Sequence, residues 1–301
     1  MQWILFNLFV LVMLALDLGV FHRRARTIGF REALLSSAGW VTLAAVFAVG
    51  VHFWLGHARA LEFTTGYLVE ESLSVDNLFI FLLLFRYFRV PSHLQHKVLF
   101  WGILGALITR GAFILAGVTL LRHFHWIAYI FGAFLIYTGA KLAVTGKAAV
   151  SPEQNVVVGW FRCWFRFTPD YAGDQFFVRR ETLYATPLLL AVLAVEATDV
   201  LFAVDSVPAV LAITRDPFIV YTSNVFAILG LRSLYFALAG MLEWFAYLHY
   251  GLSLVLMFIG TKMLLAEFYP IPVGIALGVV GGVLAVSVAL SLIVPKRGQP
   301  G

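Results

Sequence analysis

Nine runs of about 20 mostly apolar residues, joined by short polar connections, leave this chain of 301 residues few ways to fold. They cover residues 2–20, 35–56, 66–88, 98–121, 125–145, 184–213, 218–240, 245–266 and 271–294. Each is long enough to cross a hydrocarbon layer of about 30 Å as a helix. The runs are continuously apolar rather than alternating, which excludes a transmembrane β-barrel. Composition agrees: 61% of residues are hydrophobic and 12% charged, where a water-soluble domain carries about 25% charge. A soluble globular enzyme, a disordered chain and a collagen are excluded. The pI of 9.4 arises from few charges set in short loops, so it does not indicate nucleic-acid binding. A single cysteine, Cys163, excludes an internal disulfide framework and a cysteine-ligated zinc site. Arg23, Arg24 and Arg26 follow the first run instead of preceding it, unlike a cleaved signal peptide. The expected fold is an all-α polytopic membrane protein with nine transmembrane helices.

Lysine and arginine in the short loops set the orientation. With the N-terminus outside, fourteen basic residues fall inside and three, Arg59, Arg122 and Arg215, fall outside. The C-terminus is then cytoplasmic, as is the long connection 146–183. Within it, residues 160–167 mix aromatics with Arg162 and Arg166, as a helix lying at lipid headgroups or an ordinary linker would.

Six of the sixteen acidic residues lie inside two of the apolar runs. Glu70, Glu71 and Asp76 are in the third, and Glu196, Asp199 and Asp205 are in the sixth. A charge at that depth costs roughly 2.5 kcal/mol or more on insertion scales, so it marks a functional candidate. Four basic residues within the spans, Arg110, Arg232, Lys141 and Lys262, read as counter-charges or helix anchors. They leave two negative charges unmatched, a gap that one divalent cation or two protons would close. Carboxylate oxygens without cysteine or histidine suit a hard cation such as magnesium, calcium or manganese.

The two acidic spans resemble each other. Glu70 and Asp199 are each followed six residues later by an aspartate, Asp76 or Asp205, and then by Asn77 or Ser206. Downstream, Pro91 matches Pro217, Arg110 matches Arg232, and Gly139 with Lys141 matches Gly260 with Lys262. The offsets fall from 129 to 126, 122 and 121 along the chain. Two repeats follow, 66–145 (spans 3–5) and 184–266 (spans 6–8), with 271–294 as a final helix. Three spans is an odd number, so the second repeat is inverted relative to the first. Such repeats place a transporter's substrate near the midplane. Asp76 is about 15 Å into its span, at that depth. On an ideal helix Glu196 and Asp199 share a face, as do Glu70 and Asn77, whereas Asp199 and Asp205 do not. Pro208 predicts a broken or kinked sixth helix.

At these residues the chain resembles the TerC family of integral membrane proteins, most closely its Alx-type manganese exporters. The resemblance is carried by "GYLVEESLSVDN", "LAVEATDVLFAVDSVPAV", "DPFIVYTSNVFAILGLRSLYF" and "FIGTKML". It implies a non-enzymatic protein of the cell inner membrane that moves manganese(II) out of the cytoplasm as substrate, with no organic cofactor. Its pattern falls on Glu70, Asp76, Asn77, Glu196, Asp199 and Asp205, with Glu71 and Ser206 as accessory positions. Proton exchange is a natural driving force, because clustered carboxylates also bind protons. Two other classes share some of these features: a calcium or magnesium channel or exchanger lined by acids, and a non-transporting membrane assembly factor. An intramembrane zinc protease is disfavoured by the absence of an H-E-x-x-H motif.

Overall fold

In lipid every backbone N–H and C=O must be satisfied within the protein, so apolar runs of this length form helices. The computed structural model of the chain describes residues 2–21, 29–124, 126–145, 167–179, 183–238, 247–266 and 268–293. Among them are nine helices: α1 Gln2–Phe21, α2 Phe30–Leu55, α3 His57–Tyr87, α4 Ser92–His123, α5 Ile127–Thr145, α6 Pro187–Leu211, α7 Pro217–Leu238, α8 Leu248–Leu265 and α9 Val273–Ile293. The protein is an all-α polytopic membrane protein. Seven of the nine are long and apolar enough to span a bilayer, α1 and α3 being the others. In α3 the reason is its charge: Arg59, Glu62, Glu70, Glu71, Asp76 and Arg86 share 31 residues.

Local chemistry sets the helix ends. Only Gly56 separates α2 from α3, at φ 92° and ψ 168°, a region open essentially to glycine alone. At the other end of α3, Val90 N–H bonds to Phe85 O at 2.8 Å and Arg89 N–H to Arg86 O at 3.2 Å. Arg89 is left-handed at φ 50°, and Pro91 follows, so this is a Schellman stop.

Two sequence expectations about the sixth span change. Residues 184–213 are not one helix. Leu183–Ala185 forms strand β2, which pairs antiparallel with β1, Phe177–Arg179, and α6 starts at Pro187. A helix tolerates proline in its first turn, where no intrahelical donor is needed. Nor is the helix broken at its centre. It is continuous through Asp199 and Asp205 and ends three residues after Pro208, so the missing donor falls in the last turn. The end is held from outside by Lys262, whose Nζ donates to Ala212 O at 2.9 Å. A cation at carbonyls that lack helical partners is favourable.

The β1–β2 ribbon belongs to the connection expected to be a loop. It docks on the α3–α4 turn: Tyr171 Oη donates to Phe88 O at 2.8 Å, and Lys97 Nζ donates to Asp174 O at 2.5 Å and Oδ2 at 3.0 Å. That hydrogen bond holds the Asp174 carboxyl below its usual range. Cys163, and all but Phe167 of the 160–167 segment, lie outside the described residues.

Helix α7 is the centre of the bundle. Of its most apolar window 83% is buried, against 11% for α2 and 17% for α9. The outward faces of α1, α2 and α9 are large and apolar (Leu8, Leu35, Phe53, Ile275), as lipid contact requires.

Helices α5 and α8 make the closest approach. Gly139 lies against Ser253 O and Met257, and Gly260 lies against Gly132 O and Ile136. These two contacts interchange under the offset of 121 that relates Lys141 to Lys262. The contacts of α4 with α6 and of α3 with α7 interchange under the same pairing of helices. Backbones meet here because small residues permit it, the usual way membrane helices gain packing. A Cβ at Gly260 would lie 2.6 Å from Gly132 O, and backbone cannot swing aside. Gly260→Ala should therefore lower thermal stability in detergent by about 1–3 kcal/mol. Gly278→Ala, at a position with open space around it, should leave the melting temperature unchanged or raise it. Equal behaviour of the two variants would contradict this packing.

Candidate functional site

The chemistry concentrates where α3, α4, α6 and α7 meet. Arg110 of α4 is 2% exposed and is surrounded by oxygen atoms from the other three helices. Its guanidinium makes a two-pronged contact with Asp199 of α6, Nε to Oδ2 at 3.3 Å and Nη2 to Oδ1 at 2.8 Å. Nη1 is ion-paired with the fully buried Glu70 of α3. The same nitrogen lies 3.4 Å from Ser206 Oγ and 3.3 Å from Asn224 Oδ1 of α7. Asn224 is oriented by its own amide, which donates to Val220 O at 3.3 Å. The planar fork of arginine suits this arrangement, because a lysine ammonium could not serve two carboxylates in fixed directions.

Sequence and packing explain why these groups meet. Glu70 and Asp199 are the acids matched between the two acidic spans, and their helices pack against each other, α3 also against α7 and α6 also against α4. The α4–α6 seam is paved with glycine: Gly102 faces Val195, Gly105 faces the Glu196 carboxylate, and Gly117 faces Leu211. Any Cβ at Gly105 would collide with that carboxylate. Glu196 and Asp199 are one turn apart, close enough for their charges to repel.

The other sequence candidates are distributed more widely. Asn77 is buried on α3 and Ser206 is buried within the Arg110 shell. Asp76 is on α3, and its side chain lies outside those described. Asp205 is not brought to Asp199. It is half-buried toward α5, where the Thr138 hydroxyl lies 3.4 Å from Oδ1 and Lys141 is its nearby positive charge. The sequence periodicity already separated these two aspartates, and a continuous helix maintains the separation. Glu71 points toward Gly230 of α7, and its Oε2 is buried without a hydrogen bond among the described residues.

The four basic residues do not act as one pool of counter-charge. Arg110 serves two acids, Lys141 is exposed beside Asp205, Lys262 caps α6, and Arg232 is buried on α7. Among the described residues no three acidic, histidine or cysteine side chains converge as a ready metal cage. The oxygens that could form one are turned on Arg110 instead. Asn224 and Gly105 were not singled out from the sequence. Asn224 had a signal, a polar triplet Thr222–Ser223–Asn224 inside an apolar run. Gly105 had none, because it acts through what it leaves empty.

Fold and site together define a polytopic helical membrane protein with a desolvated acid–guanidinium cluster at the junction of its central helices. Residues 55–299 match the integral membrane protein TerC family, and the chain belongs to that family. It is 52% identical to "Uncharacterized membrane protein STKORF319" of Myxococcus xanthus, over 97% of this chain and 92% of that one. It is 47% identical to "Putative membrane-bound redox modulator Alx" of Escherichia coli K12, over 98% of this chain and 95% of the relative. An uncharacterized membrane protein of Rickettsia bellii is 38% identical over 97% of each chain. No solved structure matches.

Removing one partner from a buried ionic cluster leaves an uncompensated charge, at a cost of about 3–5 kcal/mol. Arg110→Leu should lower unfolding stability by an amount of that order. Adding Glu70→Gln and Asp199→Asn to it should restore much of the loss, because no charge is then stranded. Thermal unfolding of the purified variants reads both effects. A triple variant no more stable than Arg110→Leu would show that the cluster does not act as a charge network.

Proposed function

We propose that this protein is a secondary transporter that exports a divalent cation, manganese(II) by its family resemblance, from the cytoplasm across the inner membrane. One observation carries the reading: Glu70 and Asp199, matched positions of two related helices, converge on a single buried point among α3, α4, α6 and α7. That point is built from oxygens, which suit hard divalent cations. Glu70, Asp199 and Glu196 against Arg110 leave two surplus negative charges in this region, which one divalent cation balances.

The packing supports alternating access. The α3–α5 and α6–α8 bundles exchange their contacts under one pairing of helices and meet along glycine seams. Inverted repeats that rock about such a seam expose a central site to each side in turn. At one end of the molecule, Arg59, Arg122 and Arg215 line a cavity of about 510 Å³ together with Glu62 and Asp216. In the orientation expected from the loop charges these three basic residues lie outside, and the cavity then serves as the outer mouth. Protons compete with the cation for the same carboxylates and supply the exchange.

Everted membrane vesicles loaded by a manganese(II) gradient test the reading directly. Asp199→Asn, Asp205→Asn, Asp76→Asn and Glu196→Gln should each abolish uptake at equal membrane abundance. Asp174→Asn, at the exposed ribbon, should transport normally. Normal uptake by the Asp199 and Asp205 variants would remove the site from the mechanism. The orientation has its own check: a membrane-impermeant thiol reagent should label Cys163 in everted vesicles and not in intact cells. The reverse pattern would invert the direction of transport.

A further inference from the structure

We infer that Arg110 is a tethered stand-in for the transported cation, holding the site's oxygens while cargo is absent and yielding them when cargo enters. The inference rests on the transport reading above and adds to it a residue, an oxygen shell and an order of events.

The shell comes first. Every group on the guanidinium presents an oxygen: the carboxylates of Glu70 and Asp199, Ser206 Oγ and Asn224 Oδ1. Two carboxylates, a hydroxyl and an amide carbonyl form the donor set of a hard divalent cation. Here the set closes around five N–H donors of a monovalent one. A divalent cation among these oxygens would lie within a few Å of the guanidinium, and in so desolvated a place the repulsion between the two cations drives the fork away. Cargo binding is therefore an exchange of cations at a preformed shell. It requires at least that the fork leave Asp199.

A second place for the guanidinium lies one turn away. Glu196 is three residues before Asp199 on the same face of α6, about 4.5 Å along the helix axis. Its carboxylate is seated on Gly105 of α4, the helix that carries Arg110. It makes no hydrogen bond or ion pair among the described residues. An arginine side chain spans that shift without moving its backbone.

The charges fit this exchange. Glu70, Asp199, Glu196 and Arg110 sum to −2 when all are ionised, the complement of one divalent cation. With cargo on Glu70 and Asp199 and the guanidinium on Glu196, the cluster is neutral. A monovalent ion displacing the guanidinium would leave a net negative charge, so the device selects for divalent cargo. It also gives the carrier an empty state in which to return, because Glu70 and Asp199 are never left without a cation.

The test uses the full-length protein in lipid nanodiscs, with manganese(II) binding followed by electron paramagnetic resonance and by thermal stabilisation. Arg110→Gln removes the competing charge and should bind manganese(II) about tenfold more tightly than wild type. Manganese(II) should raise its melting temperature more than it raises that of wild type. Its export should nevertheless be slow, because the loaded acids have no internal cation to take over. Arg110→Lys keeps a tethered charge without the fork, so its manganese(II) affinity should fall between those of wild type and Arg110→Gln, and it should export faster than Arg110→Gln. Equal or weaker binding by a folded Arg110→Gln would overturn the inference. Asn224→Ala breaks no ion pair, so it tests the shell even where Arg110→Gln fails to fold. It should weaken manganese(II) binding severalfold, and unchanged affinity would overturn the assignment of that shell. If wild type itself neither binds nor transports manganese(II), the transport reading fails first, a result distinct from a wild type that transports with no competition from Arg110.

Discussion

A guanidinium that serves two carboxylates out of contact with water constrains the arrangement of the central helices. Each ion alone would be costly to desolvate, and only a complete set of partners offsets that cost. Arg110 can meet Glu70 and Asp199 at once only if α3, α4 and α6 hold one relative position. Asn224 extends the requirement to α7. Apolar packing in a bilayer is weakly directional, since lipid tails are as apolar as leucine. The charged cluster is directional, so it selects one arrangement among many of similar burial. The glycines of the α4–α6 seam then bring the backbones close enough for the short Asp199 side chain to reach the fork.

The same helices that the cluster fixes are the ones the transport reading requires to move, and the rest of the packing reconciles the two demands. Helices α5 and α8 approach through glycines that lie against main-chain carbonyls and against the Met257, Ile136 and Leu264 side chains. The cluster lies away from that seam, on the acid-bearing helices. Replacing its cation changes the strongest directional interaction in the centre while leaving the α5–α8 contact intact. On the transport reading, the cluster that exchanges its cation and the α5–α8 contact are separate parts of the bundle.

Much of this was legible in the sequence for identifiable reasons. Helix content followed from the length of the apolar runs, because lipid leaves the backbone no alternative. Glu70, Asp199, Arg110 and Ser206 stood out because polar atoms are costly in such runs, and they do meet. The separation of Asp205 from Asp199 followed from helical rotation alone. What was illegible depended on partners. The start of α6 at Pro187 turns on the pairing of β2 with β1, an interaction between segments that hydropathy cannot register. Pro208 suggests a break or kink only while the apolar run counts as one helix of 30 residues; with three residues removed at its start and two at its end, the proline falls in the last turn. Lys262 was grouped with the counter-charges, yet its partner is a main-chain carbonyl, a group every residue carries and no sequence pattern marks.

Helix α6 shows how a single element can define a route instead of a single site. Its three acids point to different neighbours: Glu196 to Gly105 of α4, Asp199 to Arg110, and Asp205 to Thr138 of α5. Glu196 and Asp205 are nine residues apart, about 13.5 Å along the axis. That is nearly half of a hydrocarbon core of roughly 30 Å. One carboxylate cluster at a single depth would bind a cation tightly and release it poorly. Acids staged along the helix, only the middle one held by an internal guanidinium, give a cation successive oxygens of differing occupancy. Conduction or transport needs binding favourable enough to enter and divided enough to leave. On the transport reading the spacing of acids on α6 meets that condition, with the guanidinium holding the middle one.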